Sequence, residues 1–171
     1  PMRFSLLPKL ILPSVVSVTP KLLQDRHITL LMLDFDNTIV PYTTNVPTEA
    51  VLQWFQAMQK AGIALCVVSN SKNSRVPAFC EKYGLSCVTH AKKPFSSGIQ
   101  ACLARFSVLP TNSALVGDQI FTDTLGANCA GLTSILVPAI HNHTFWLKLR
   151  HIAELPFIFA ARGRRIEYEK H

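Results

Sequence analysis

Two acidic side chains at the end of a short apolar run have the types and spacing of a catalytic or metal-binding pair. Asp34 and Asp36 stand one residue apart, directly after the apolar run at residues 28–33. Carboxylates beside a buried strand end are costly unless a metal ion or a substrate uses them. An isolated Asp-x-Asp motif fits a solvated turn equally well, so the hypothesis depends on the polar groups that follow it.

Three further polar groups also stand at the ends of apolar runs. In a parallel α/β sheet the carboxyl ends of the strands meet at one edge, where ligands bind. The residue types suit phosphoryl transfer, because carboxylates hold Mg²⁺, hydroxyl and amide groups bind phosphoryl oxygens, and a lysine offsets developing charge. No His or Cys accompanies the acids, which disfavours Zn²⁺. The three groups are Ser69-Asn70, Lys92-Lys93-Pro94, and Gly117-Asp118 with Asp123.

The elements that must position these residues alternate along the chain. Strands are predicted at residues 28–33, 63–68, 86–89, 114–116 and 133–137. Helices are predicted at 20–24, 49–60, 73–84, 95–106 and 121–130. This alternation predicts an α/β fold with a parallel sheet of about five strands and helices on both faces. The interval between the first two strands holds one loop and one helix, so no large cap domain is expected there.

The four motifs, in this order, resemble those of the haloacid dehalogenase (HAD) superfamily, whose domain is a three-layer Rossmann-like fold. The resemblance implies that Asp34 is the nucleophile that forms an aspartyl-phosphate. It implies that Asp36 is the general acid for the leaving group and then the base for water. Lys93 is expected to stabilise the transferring group, and Lys92 stays open as the alternative lysine. Like-charge repulsion from Asp34 is expected to raise the pKa of Asp36.

The same resemblance implies a phosphate-binding set and a Mg²⁺ site. Ser69 is expected to bind a phosphoryl oxygen, with Asn70 and Thr38 as further phosphate-binding residues. The residues expected at the metal are Asp34, Asp36 through its backbone carbonyl, Asp118 and Asp123. For Asp123 the resemblance also suggests a role in orienting Lys93 or a metal-bound water.

The motifs and the Pro-rich N-terminal segment resemble the capless subclass IIIA, YqeG-like family, which is related to the phosphatidylglycerophosphate phosphatases of mitochondria and plastids. That resemblance implies conversion of phosphatidylglycerophosphate to phosphatidylglycerol in phospholipid biosynthesis. One alternative is a capless phosphatase that acts on a soluble phosphomonoester, a nucleic-acid end or a phosphoprotein. An alternative of another class is a catalytically silent module that only binds phosphate.

Length, charge and hydropathy limit the organisation of the chain. Its 171 residues suffice for one domain, and its net charge of +7 suits an anionic partner. We predict an apolar docking segment at 1–20, the HAD phosphatase domain at 21–160 and a basic tail at 161–171. Residues 1–20 could dock on a membrane interface or on the protein's own surface.

Partners and compartment follow from the same features. An anionic phospholipid substrate and a peripheral membrane association are expected, aided by the aromatic and basic residues at 145–150 and 162–165. No nucleic acid is expected, because no nucleic-acid-binding motif is visible. Five scattered cysteines favour free thiols in a reducing compartment. The expected localisation is the cytoplasm, or the matrix or plastid side of a membrane in a eukaryote.

Overall fold

Residues 4–140 and 154–158, the part of the chain that the computed structural model describes, contain a sheet of six parallel strands. The strands stand in the order β1-β6-β5-β2-β3-β4. Five of them confirm the predicted strands to within two residues, and β1 is additional. The strands are β1 (Leu10–Ile11), β2 (Leu30–Leu33), β3 (Ala64–Val68), β4 (Ser86–Val88), β5 (Ser113–Gly117) and β6 (Thr133–Leu136).

Five α-helices connect the strands. Two begin at the predicted caps, since the hydroxyls of Thr19 and Thr48 accept backbone N–H groups of their first turns at 3.1 and 3.3 Å. The predicted helix at 121–130 divides into a π-helical turn, Ile120–Thr124, and an α-helix. The helices are α1 (Pro20–Gln24), α2 (Glu49–Lys60), α3 (Arg75–Tyr83), α4 (Ser97–Phe106) and α5 (Leu125–Ala130).

The two faces of the sheet are both covered, as the period of two along a strand requires. Along β2, Leu31 and Leu33 pack with residues of α1, α2 and α3. Leu30 and Met32 point to the opposite face, where they pack with α4 and α5. The predicted α/β, three-layer architecture is therefore confirmed, and the single helix and loop between β2 and β3 leave no large cap in that segment.

The N-terminal segment forms part of this domain. Strand β1 pairs with β6, so that Leu10 lies beside Ile135. Further along, the indole N–H of Trp54 donates to the carbonyl of Val18 at 2.7 Å, and Val18 is fully buried. The apolar side chains of Leu10, Ile11, Leu12, Val15 and Val18 are thus buried in the domain. The sequence analysis considered a membrane interface and the protein itself as docking surfaces for this segment, and these residues pack on the protein itself.

Several sequence expectations concern other parts of the chain. The aromatic and basic residues at 145–150 and 162–165, and the basic tail at 161–171, lie outside the described residues. Within the described residues, no helix has the length and apolar character needed to cross a bilayer. All five cysteines are free thiols, three of them buried.

Candidate active site

The predicted site residues meet at the carboxyl edge of the sheet. Asp34 follows β2, a central strand, and its backbone N–H donates to the carbonyl of Val116 on β5 at 2.9 Å. Ser69 follows β3, and its N–H donates to Val88 of β4 at 3.0 Å. Asp118 follows β5. Pairing with the neighbouring strand therefore fixes where β2 and β3 deliver their polar residues.

A buried lysine lies among the acidic side chains. The ammonium of Lys93 donates to Asp34 Oδ1 at 2.8 Å and to Asp123 Oδ1 at 2.6 Å. The side chains of Lys93 and Asp123 are 1% and 2% exposed, and that of Asp34 is 13% exposed. We call Asp34, Lys93, Asp118 and Asp123 the carboxylate–lysine cluster. Such a cluster holds several charges in a space of low polarity, where their interactions are strong.

The charges in the carboxylate–lysine cluster shift the pKa values of Lys93 and Asp123. Burial alone would lower the pKa of Lys93, but the carboxylates of Asp123 and Asp34 outweigh it and raise that pKa above its ordinary value. Burial and the charge of Asp34 raise the pKa of Asp123 to about 7, against the opposing effect of Lys93. Lys93 is therefore a permanent cation in this site.

Of the two candidate lysines, Lys93 is the one that reaches the cluster. Lys92 is exposed. The loop that carries Lys93 is held by Asn70, whose side-chain amide accepts the N–H of Lys93 at 2.7 Å and donates to its carbonyl at 2.8 Å. Asn70 was predicted to assist phosphate binding. Its observed contact is instead with the lysine backbone, because both ends of the amide meet the main chain there.

Gly117 allows the close approach of Asp123 to the end of β5. A Cβ atom at Gly117 would lie 2.2 Å from Asp123 Oδ2, a distance that real side chains do not tolerate. The same carboxyl oxygen accepts the N–H of Gln119 at 3.2 Å. Asp123 thus lies beneath the strand end, where it contacts Lys93, which agrees with the orienting role suggested for it.

Thr38 and Ser69 are both nearly fully buried. The hydroxyl of Thr38 lies 3.3 Å from Asp34 Oδ2 and 3.4 Å from Asp118 Oδ1, so it links two carboxylates of the cluster. This contact differs from the phosphate-binding role that was predicted for Thr38. Ser69 Oγ accepts the N–H of Ser71 at 3.1 Å, which orders the loop after β3.

The side chain of Asp36 contacts Arg75, the first residue of α3. The guanidinium forms an ion pair with Asp36. It also donates to Asn45 Oδ1 and to the backbone carbonyls of Pro41 and Thr44. Its carbon lies 4.9 Å from the ring centroid of Phe35, within cation–π range. Arg75 therefore ties the second acid of the motif to the loop at residues 41–45.

Burial is the largest influence on Asp36 and raises its pKa, with a smaller contribution from the charge of Asp34. Arg75 acts in the opposite direction. The predicted rise is confirmed, but its main cause is desolvation rather than like-charge repulsion. The sequence analysis missed Arg75, and the signal that could have revealed it is a cation six residues after Ser69, close to the same sheet edge.

Three of the predicted metal residues lie close enough to share a cation. One oxygen each of Asp34, Asp118 and Asp123 lies within 4.8 Å of the others. Oxygen donors are what Mg²⁺ and similar hard cations prefer. The side chain of Asp36 is not in this group, and the expected contribution of its backbone carbonyl stays a prediction. The donor set fits a divalent cation between Asp34 and Asp118, since both carboxylate oxygens of Asp123 are already engaged, one by Lys93 and one by the N–H of Gln119.

Comparison with known proteins gives two sequence matches of long coverage. The model of the family described as mitochondrial PGP phosphatase matches residues 2–139. The Bacillus subtilis protein named "Probable phosphatase YqeG" is 30% identical over 166 residues, which is 96% of this chain and 96% of the relative.

Solved structures resemble the fold at low sequence identity. A protein from Legionella pneumophila assigned to subfamily III A of the HAD hydrolases has a TM-score of 0.55 at 15% identity, covering 85% of this chain and 95% of its own. The cobalt-bound deoxy-D-mannose-octulosonate 8-phosphate phosphatase of Haemophilus influenzae has a TM-score of 0.53 at 12% identity. The match covers 81% of this chain and 91% of the Haemophilus chain. These likenesses show the fold.

Proposed function

The chain belongs to the mitochondrial PGP phosphatase family of HAD-type phosphatases, and from this we propose that it hydrolyses the terminal phosphomonoester of phosphatidylglycerophosphate with Mg²⁺ as its cofactor. The products are phosphatidylglycerol and inorganic phosphate. The single observation that carries the proposal is the carboxylate–lysine cluster. There Asp34 is held by Lys93 at 2.8 Å, at the carboxyl end of β2, and the segment from β2 to β3 holds no inserted cap.

In the first step Asp34 is the nucleophile. One of its carboxylate oxygens forms a bond to phosphorus while the bond from phosphorus to the lipid oxygen breaks. Lys93 keeps its positive charge throughout, so it offsets the negative charge that gathers on the phosphoryl oxygens. Its contact with Asp123 fixes the direction in which the ammonium points.

Asp36 moves the proton in both steps. Its raised pKa allows it to hold a proton, which it gives to the departing lipid oxygen. It then takes a proton from the water that attacks the aspartyl-phosphate, so that phosphate leaves and Asp34 is regenerated. Arg75 holds the Asp36 carboxyl group at a fixed place beside the leaving group.

Asp34 and Asp118 are the side chains that would hold the divalent cation. When bound, it would offset the combined negative charge of the carboxylates and the substrate phosphate. The hydroxyl of Thr38 approaches both carboxylates and holds them near each other. The cobalt named for the Haemophilus phosphatase supports a divalent ion in a fold of this kind.

The open edge supports a substrate that remains attached to a bilayer. The segment between β2 and β3 consists of one loop and α2, so no domain inserted there separates a phosphate headgroup from the cluster. We place the enzyme at the membrane surface as a peripheral protein for the same reason.

The test is phosphate release from phosphatidylglycerophosphate in mixed detergent micelles, with Mg²⁺ or with EDTA. We expect release by the wild type with Mg²⁺ and none with EDTA. Asp34→Asn is the matched inactive control, because it keeps the size of the side chain and removes the nucleophile. Turnover of a small aryl phosphate without release from the lipid would contradict the lipid assignment and leave the chemistry in place.

A further inference from the structure

The exposed apolar side chains of this protein are unevenly distributed. Among residues 4–140 and 154–158, eight large apolar side chains are exposed. Five of these follow the carboxyl ends of β2, β4, β5 and β6, and a sixth, Val16, follows the edge strand β1. Single exposed apolar residues are ordinary on a protein surface. The concentration of several such residues around one site is unusual and needs an explanation. The five are Tyr42, Val46, Phe95, Phe121 and Ile140.

Hydrogen bonds place these residues beside the catalytic acids. Asn37, the neighbour of Asp36, accepts the N–H of Tyr42 on its side chain at 3.0 Å and the N–H of Ile140 on its carbonyl at 2.9 Å. On the other side of the site, Phe95 stands two residues after Lys93 and is 74% exposed.

The loop that carries Tyr42 and Val46 is held in place. Arg75 donates to two carbonyls and one side chain of residues 41–45, and its guanidinium lies 5.9 Å from the ring of Tyr42. Val46 is 66% exposed on this loop. Apolar side chains on a loop that is already fixed can insert into a membrane interface with little further loss of conformational entropy.

Cations stand among these side chains. Lys72 in the loop after β3 and Lys92 in the loop after β4 are both exposed. The acids of the described edge belong to the active site, apart from Glu49 at the start of α2 and Glu154, which is buried and accepts the N–H of Ile120 at 3.0 Å. Apolar side chains interspersed with lysines are the surface that an anionic bilayer attracts, through burial at the interface and through charge.

We propose that this rim, formed by Tyr42, Val46, Phe95 and Ile140 with Lys72 and Lys92, docks on an anionic phospholipid bilayer and turns the active site towards it. The inference rests on the proposed function and assigns the membrane contact to the catalytic edge instead of the N-terminal segment. Phe121 is left out of the rim, because its ring packs against Phe157 at 5.7 Å.

The test is co-sedimentation with vesicles of phosphatidylcholine containing phosphatidylglycerol, and with vesicles of phosphatidylcholine alone. The variant carries Val46→Ser, Phe95→Ser and Ile140→Ser; Tyr42 is kept because its ring lies near Arg75. The matched control is Phe4→Ser, which removes a side chain that is 79% exposed in the segment before β1. We expect the triple variant to lose at least about tenfold in partition into anionic vesicles, and the control to bind as the wild type does.

Charge is tested separately, which keeps the inference testable if the triple variant fails to fold. Lys72→Gln with Lys92→Gln should weaken binding to anionic vesicles by about an order of magnitude and leave binding to neutral vesicles unchanged. Lys60→Gln, at the end of α2 on the opposite edge, is the control. Both sets of variants should hydrolyse a small aryl phosphate at the rate of the wild type.

Three outcomes would overturn the inference: no binding of the wild type to anionic vesicles, unchanged binding of both sets of rim variants, or equal losses in the rim variants and the controls. None of these outcomes depends on hydrolysis. Failure of the proposed function is recognised by a different result, the absence of phosphate release from the lipid in detergent micelles, where docking on a bilayer plays no part.

Discussion

The carboxylate–lysine cluster and the Arg75–Asp36 pair lie on the same sheet edge and are held in different ways. In the cluster, Lys93 and Asp123 are almost completely buried, and strand pairing fixes the position of Asp34. In the outer pair the two side chains are 18% and 27% exposed. They are held by a loop and by the first residue of a helix.

This difference separates two requirements of phosphoryl transfer. The transferred group is the same in every phosphomonoester, so the residues that contact it can be fixed by the sheet. The leaving group differs from one substrate to another, and the acid that protonates it is held by a loop, the part of a fold that varies most easily. We therefore expect changes in the cluster to abolish chemistry, and changes in the outer pair to tune it.

The largest effect is expected from Asp34→Asn. An amide cannot form the phosphoenzyme, so turnover of any phosphomonoester should fall by at least about 10³-fold. Thermal unfolding followed by circular dichroism should show a folded protein. If the variant kept a tenth of the wild-type rate, covalent catalysis by Asp34 would be excluded.

Lys93→Met should come next, with losses in both rate and stability. Removing the cation leaves Asp34 and Asp123 facing each other in a buried site, and breaking such a pair costs about 3–5 kcal/mol. Urea unfolding in EDTA measures this cost. Adding Asp123→Asn to Lys93→Met should recover part of the stability and none of the activity. Recovery of activity in the double variant would show that Lys93 only neutralises Asp123.

Arg75→Ala should have a smaller effect, of about tenfold on kcat, with a change in the pH profile. Arg75 lowers the pKa of Asp36 against the effect of burial, so its removal lets that pKa rise further. Because Asp36 must be protonated to act as the acid, the alkaline limb of the kcat profile should move to higher pH. Because Arg75→Lys keeps the positive charge, it should restore the position of the alkaline limb more fully than it restores kcat. An unshifted limb in Arg75→Ala would show that Arg75 acts only on the loop.

The smallest effect is expected from Asn70→Ala, which removes both hydrogen bonds to the backbone of Lys93. A loss of about 1–2 kcal/mol in stability is expected, with a severalfold decrease in kcat and little change in KM. The inhibition constant of inorganic phosphate, compared between the variant and the wild type, measures phosphate binding. If the variant bound phosphate much more weakly, Asn70 would contact the substrate directly, as the sequence analysis predicted.

The sequence was sufficient for the parts of the fold that depend on local pattern. The buried strand before Asp34 and the helices capped by Thr19 and Thr48 follow from neighbouring residues, and the motifs could be placed because each ends a strand. Strand β1 could not be predicted in this way, since two residues gain their structure from a partner about 125 positions away. Arg75 was missed because its contacts depend on the conformation of a loop 30 or more residues earlier.

Strand β1 also governs how one molecule meets another. Without it, β6 would stand at the margin of the sheet with a row of unpaired N–H and C=O groups, which invite a strand from a second molecule. Strand β1 occupies that margin. Pro8 and Pro13 on either side of it have no backbone N–H to donate to a strand of a second molecule. A chain shortened beyond residue 18 should therefore form aggregates built on β6, even though every catalytic side chain would still be present.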